Sequence, residues 1–131
     1  VLVALSSLAW VAAADRPEVI SEKGAPPAVT TVSTPATLAL AEHLNSIGAR
    51  MYSAYWCPHC HEQKQEFGAE AAAKLEVIEC AADGKNSQAA LCQSKAIEGF
   101  PSWEINGRID SGVKSLSKLA DLSDYKGPRN F

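Results

Sequence analysis

Nowhere in this 131-residue chain do two basic residues stand side by side, and the formal net charge is only -3 at pH 7. Without a basic cluster there is no electrostatic footprint for a phosphate backbone, so nucleic acid is not an expected partner. Internal repeats and low-complexity tracts are also missing. Charged residues make up 21% of the chain and apolar ones 47%, which excludes compositional disorder and allows one domain with a modest core. The apolar opening falls short of a bilayer. Val1 to Ala14 carries no charge and ends at Asp15-Arg16-Pro17-Glu18, but fourteen helical residues span about 21 Å where a hydrocarbon core needs about 30 Å.

The first residue is Val1 rather than Met, so the chain is expected to be cut from a longer product. Three readings of residues 1–14 follow. The segment is the end of a transmembrane helix whose start is missing, with Trp10 near the interface. Alternatively it is the h-region of a signal peptide, since Val11-Ala12-Ala13-Ala14 offers an Ala-x-Ala cleavage pattern, or it packs on the soluble domain. The first two place the domain outside the reducing cytosol.

Residues 15–33 contain Pro17, Gly24, Pro26 and Pro27 among polar residues and show no periodicity, so they read as a linker. From there the chain punctuates itself clearly. Ser33 or Thr34 before Pro35 predicts a helix start, and Gly48 its stop. Arg50 to Tyr55 predicts a strand. Pro58 opens a helix expected to run through Phe67 and Ala71 to Lys74, with Gly68 marking at most a bend. Leu75 to Cys80 alternates as a strand, Asp83-Gly84 turns, and Ser87 to Ala96 is helical. Ser102 to Ile105 and Arg108 to Gly112 form a hairpin around Asn106-Gly107, and a last helix covers Lys114 to Leu122. Phe67, Ala71 and Leu75 share one helical side and are expected in the core.

Chemistry concentrates in Tyr55-Trp56-Cys57-Pro58-His59-Cys60-His61. Two thiols one helical turn apart let one sulfur attack a disulfide while the other resolves the mixed intermediate, which is the minimum equipment for thiol–disulfide exchange. Cys57 would lie at the helix amino end, where unpaired N–H groups favour a thiolate. A charged His59 would favour it further. Both effects stabilise the reduced form, so the disulfide should be a strong oxidant. Cys60, a turn deeper, is the expected resolving thiol, while His61 reads mainly as surface. Trp56 is either a flat surface for a peptide partner or simple core. Four cysteines allow three complete pairings. With Cys57 and Cys60 tied by the motif, Cys80 and Cys92 are left as the second pair, worth about 3 kcal/mol by loop closure.

Together these residues resemble the thioredoxin-like superfamily, with Trp56-Cys57-Pro58-His59-Cys60 like its active-site motif and Pro101 like its cis-proline. The resemblance implies an α/β domain over residues 34–127, with a small central mixed sheet flanked by helices and a tail at 128–131. The Pro-His dipeptide resembles that of strongly oxidising periplasmic members. Where reducing thioredoxins carry a buried aspartate six residues before the first cysteine, this chain has Met51, which argues against a general cytosolic reductant.

A closer resemblance is to the thioredoxin-like domain that follows the last membrane helix in bacterial, especially cyanobacterial, and plant-plastid homologues of vitamin K epoxide reductase. Met51 to Lys64, the Cys80 to Cys92 loop and Gly99-Phe100-Pro101-Ser102-Trp103 carry it. It implies a protein thiol–disulfide oxidoreductase that oxidises substrate protein thiols through Cys57 and Cys60. Electrons then pass to a cysteine pair of a membrane-embedded domain that reduces a quinone. On this resemblance Trp56, Pro58, His59 and Pro101 modulate the site or face substrate, and Cys80–Cys92 is a structural disulfide. The chain itself holds no cofactor or metal, and the quinone belongs to the attached domain. The expected location is the periplasmic or thylakoid-lumen side of a membrane, or else a secreted or periplasmic soluble domain. Two other readings compete. The four cysteines, with His59 or His61, could hold structural zinc, or Trp56, Phe100 and Trp103 could form the adhesive surface of a non-catalytic binding module.

Overall fold

Parallel and antiparallel pairing meet in one four-stranded sheet, ordered β2-β1-β3-β4, in the computed structural model, which describes residues 22–131. The apolar segment 1–14 and the first part of the expected linker lie outside the described residues. Strand β1 (Arg50–Ser53) runs parallel to β2 (Glu76–Glu79), with Ser53 opposite Glu79. On its other side it pairs antiparallel with β3 (Ser102–Ile105), which continues through Asn106-Gly107 into β4 (Arg108–Ser111). Both turn residues have positive φ, 51° and 78°, as a two-residue hairpin of this kind requires.

Five helices complete the chain: α1 (Pro35–Ser46), α2 (Pro58–Phe67), α3 (Ala69–Ala72), α4 (Ala89–Ser94) and α5 (Leu116–Leu122). Alternation along the strands divides the interior. Met51, Trp103 and Ile105 turn to one face, where they join Leu40 and Leu44 of α1, Phe67 of α2, Ala71 of α3 and Leu119 of α5. Tyr52 and Ile78 turn to the other and meet Cys92 of α4. This is the expected α/β arrangement of a small mixed sheet flanked by helices, that of a thioredoxin-like domain. Among the described residues, no helix is long and apolar enough to cross a membrane.

Thr34 caps α1 through a reciprocal bond set with Thr37, and Pro35 follows in the first turn. The single helix expected from Pro58 to Lys74 is instead two. Gly68 has φ 89° and ψ 162°, which breaks the helix, and α3 restarts at Ala69. The cause is tertiary: Ser33 crosses so close that a Cβ on Gly68 would stand 2.4 Å from its backbone nitrogen. Ser33 Oγ donates to Phe67 O at 2.9 Å and accepts from Ala71 N at 2.9 Å. Thr31 O accepts from Ala69 N, while Thr30 N donates to Gln65 Oε1 at 2.8 Å. The irregular stretch before α1 is thus laid along α2 and α3, and it covers the far end of the helix that carries the cysteines.

Candidate active site

Strand β1 ends at Ser53, two residues earlier than its expected limit, because Ala54 O turns to accept Cys57 N at 2.9 Å. That tight turn delivers Cys57 to the N-cap of α2, with Pro58 as the first helical residue, where its missing N–H costs nothing. The Cys57 sulfur stands where a capping oxygen usually does and accepts from Cys60 N at 3.4 Å. Its thiol also reaches Phe100 O at 3.7 Å, across a cis Phe100–Pro101 bond. Pro101 is fully buried. The two cysteines are free thiols; Cys57 is 6% exposed and Cys60 2%.

Burial is nearly as complete for Cys57 as for Cys60. It pushes the Cys60 thiol up to about 11; the Ser53 hydroxyl and the Ala54 backbone pull down, and the Cys57 sulfur adds to the rise. Lys64, one turn further along α2 and half-buried, is held below the usual lysine range by desolvation, against the opposing pull of Cys60 and Glu79.

Trp56 is 59% exposed and meets the Phe100 ring edge-on at 6.1 Å, so it is not a core residue. His59 points outward, its side chain 72% exposed and its Nδ1 3.3 Å from Glu62 Oε2. His61 is half-buried, and its Nδ1 finds no hydrogen-bond partner among the described residues. Next to Phe100, a shallow hollow of about 430 Å³ is lined by Cys80, Cys92, Ala96, Ile97 and Glu98 among others.

Two competing expectations lose residues on which they relied. Cys80 and Cys92 are bonded to each other, which removes two of the four thiolates a zinc site would need. Among the described residues no group of three or more His, Cys, Asp or Glu is placed to hold a metal ion. Trp103 is 1% exposed and belongs to the core, so it cannot join Trp56 and Phe100 in an adhesive surface.

The motif reading overlooked two polar residues that hold the site in place. Gln63, fully buried, accepts from Trp103 Nε1 at 3.1 Å and Lys114 N at 2.8 Å, and donates to Lys114 O at 3.0 Å. It pins the cysteine helix to β3 and to the loop before α5. The signal was its place four residues before Phe67, on the apolar side. Glu79 is the other: its Oε1 accepts from Tyr55 N at 3.2 Å and Ala81 N at 3.0 Å. No local pattern marks it.

No protein-family model matches the chain. Over 100 residues, 74% of this chain, it is 47% identical to the thiol-disulfide oxidoreductase LTO1 of Arabidopsis thaliana. A stretch covering 74% of 131 residues contains both cysteine pairs wherever it starts. The chain spans 27% of the length of that relative.

Proposed function

We propose that this chain is a protein thiol–disulfide oxidoreductase domain that works in the oxidising direction through Cys57 and Cys60. The observation that carries the reading is the unequal placement of the two sulfurs. One caps the start of α2 beside an exposed tryptophan, and the other lies a turn deeper with its proton held tightly. The similarity to a plant thiol-disulfide oxidoreductase across a stretch containing both cysteine pairs supports it.

In the oxidised domain, a substrate thiolate attacks Cys57 Sγ and breaks the Cys57–Cys60 bond. The electron pair of that bond leaves on Cys60, which takes up a proton. A second substrate thiolate then attacks the substrate sulfur of the mixed disulfide. It closes the substrate's own disulfide and expels Cys57 as a thiolate, whose sulfur faces the Cys60 N–H at 3.4 Å. Two electrons now rest on the dithiol, the form described above. By the same exchange Cys57 would pass them to a cysteine pair in a membrane-embedded domain homologous to vitamin K epoxide reductase, for which a quinone would serve as the electron acceptor. Trp56 and Phe100 give the substrate peptide an apolar platform, His59 tunes the outer sulfur, and Cys80–Cys92 braces the fold. The domain works on the periplasmic or thylakoid-lumen side of the membrane, tethered through its amino-terminal segment.

The test uses the reduced chain and a protein substrate that carries a disulfide, so that the exchange runs in reverse through the same mixed disulfide. The Cys60→Ala variant should accumulate a mixed disulfide at Cys57, and Cys57→Ala should accumulate none. A mixed disulfide that forms at Cys60 in Cys57→Ala would overturn the assignment. An equilibrium with glutathione that placed the potential near that of thioredoxin, about -270 mV, would overturn the direction.

A further inference from the structure

Glu79 lies outside the cysteine motif, at the carboxyl end of β2 opposite Ser53. Its carboxylate nevertheless reaches the turn that delivers Cys57. That turn is closed by Cys57 N donating to Ala54 O, which leaves the N–H of Tyr55, the second residue of the turn, without a main-chain partner. Glu79 Oε1 accepts it at 3.2 Å and takes Ala81 N at 3.0 Å with the same atom. A charged acceptor is a strong partner for such a group.

The surroundings hold this carboxylate where it is. Gly84 covers the side chain so closely that a Cβ there would stand 2.5 Å from Glu79 Cγ and 2.8 Å from Oε1. Glu79 O accepts from Gln88 N at 2.7 Å, so the loop folds back over its own strand end. Two further bonds tie the same loop to the same turn: Cys80 N to Ser53 O at 2.8 Å and Tyr55 Oη to Asp83 Oδ2 at 2.9 Å. The loop after β2 is thereby fastened to the turn after β1, and the Glu79 side chain sits at the join.

We propose that Glu79 is a positioning residue: by holding the Tyr55 N–H it fixes the turn that aims the Cys57 sulfur at an incoming disulfide. The bond, rather than the charge, does the aiming. The proposal rests on Cys57 being the reacting sulfur, as argued above.

The measurement is the second-order rate of the reduced full chain with a small peptide disulfide, at a pH where the Cys57 thiol is fully ionised, so that charge effects on ionisation drop out. Glu79→Ala should slow the reaction about tenfold, which is about 1.4 kcal/mol in the barrier. Glu79→Gln retains the acceptor oxygen and should stay within about twofold of the parent. Gly84→Ala, which displaces the carboxylate without removing it, should act like Glu79→Ala and serves if that variant does not fold. Full speed in Glu79→Ala or Gly84→Ala would overturn the proposal, as would a Gln variant as slow as the Ala variant. If Cys57→Ser abolishes exchange while Glu79→Ala leaves it untouched, only this inference fails. If Cys57→Ser still exchanges, the assignment of the reacting sulfur fails first.

Discussion

Cys60 can be titrated by its own reaction when Cys57 is blocked as a mixed disulfide with a coloured aryl thiol. Intramolecular attack by Cys60 then releases the dye, and only its thiolate attacks. The buried thiol is pushed up to about 11 in the dithiol, burial being the largest cause and the Cys57 sulfur a lesser one. Blocking Cys57 removes the lesser cause and leaves the burial, with Cys60 only 2% exposed. At the dithiol's value of about 11 the thiolate fraction at pH 7 would be about one in 10⁴, against about one in 30 for a free cysteine, and loss of the Cys57 contribution raises that fraction. Release should therefore be slower than a freely ionising thiol in the same geometry would give, by up to roughly 300-fold. The sign follows from which form reacts: raising the pH deprotonates Cys60, so the rate climbs about tenfold per pH unit and bends only well above the free-cysteine value. Ser53→Ala removes a hydroxyl that favours the thiolate and should move the bend higher still. A plateau near pH 8.5, the free-thiol value, would refute the argument that burial governs this sulfur.

Two stability predictions follow from buried contacts. Gln63→Leu keeps the volume but leaves the N–H groups of Trp103 and Lys114 without their buried acceptor, so urea unfolding should show a loss of about 3 kcal/mol; a loss under 0.5 kcal/mol would contradict it. Gly68→Ala must overcome both a positive φ of 89° and a 2.4 Å approach to Ser33 N. It should cost about 2 kcal/mol or more in the same assay, and a variant as stable as the parent would show that the crossing at Ser33 yields easily.

What the sequence revealed and what it withheld divide along the range of the interactions. Thr34 before Pro35 fixes the start of α1 because cap and first turn are neighbours in the chain. Asn106-Gly107 fixes the hairpin because positive φ at both positions is a local demand. The cysteine pair, the proline between them and the tryptophan before them are legible for the same reason: exchange chemistry needs them within one helical turn. The break between α2 and α3 was not legible, since Gly68 alone reads as a tolerated weak point in a helix. It becomes a break because Ser33, 35 residues earlier, donates to Phe67 O and accepts from Ala71 N on either side of it.

The same division runs through the active site and explains which residues a motif can supply. The sulfur's own setting is local: Cys57 Sγ, at the helix start, accepts from the N–H of Cys60 in the same turn. Aim is not local, because the turn that carries Cys57 has an N–H that its own backbone cannot satisfy, and the helix that follows needs an anchor on its inner side. Glu79 answers the first need from β2. Gln63 answers the second by reaching Lys114, 51 residues away in sequence. Both are polar side chains that would read as ordinary surface or helix residues in isolation, and both acquire their roles when the sheet forms. A substitution that preserves the cysteine motif but alters either anchor should therefore leave a domain with the same reactive groups and a poorer ability to bring them to a substrate.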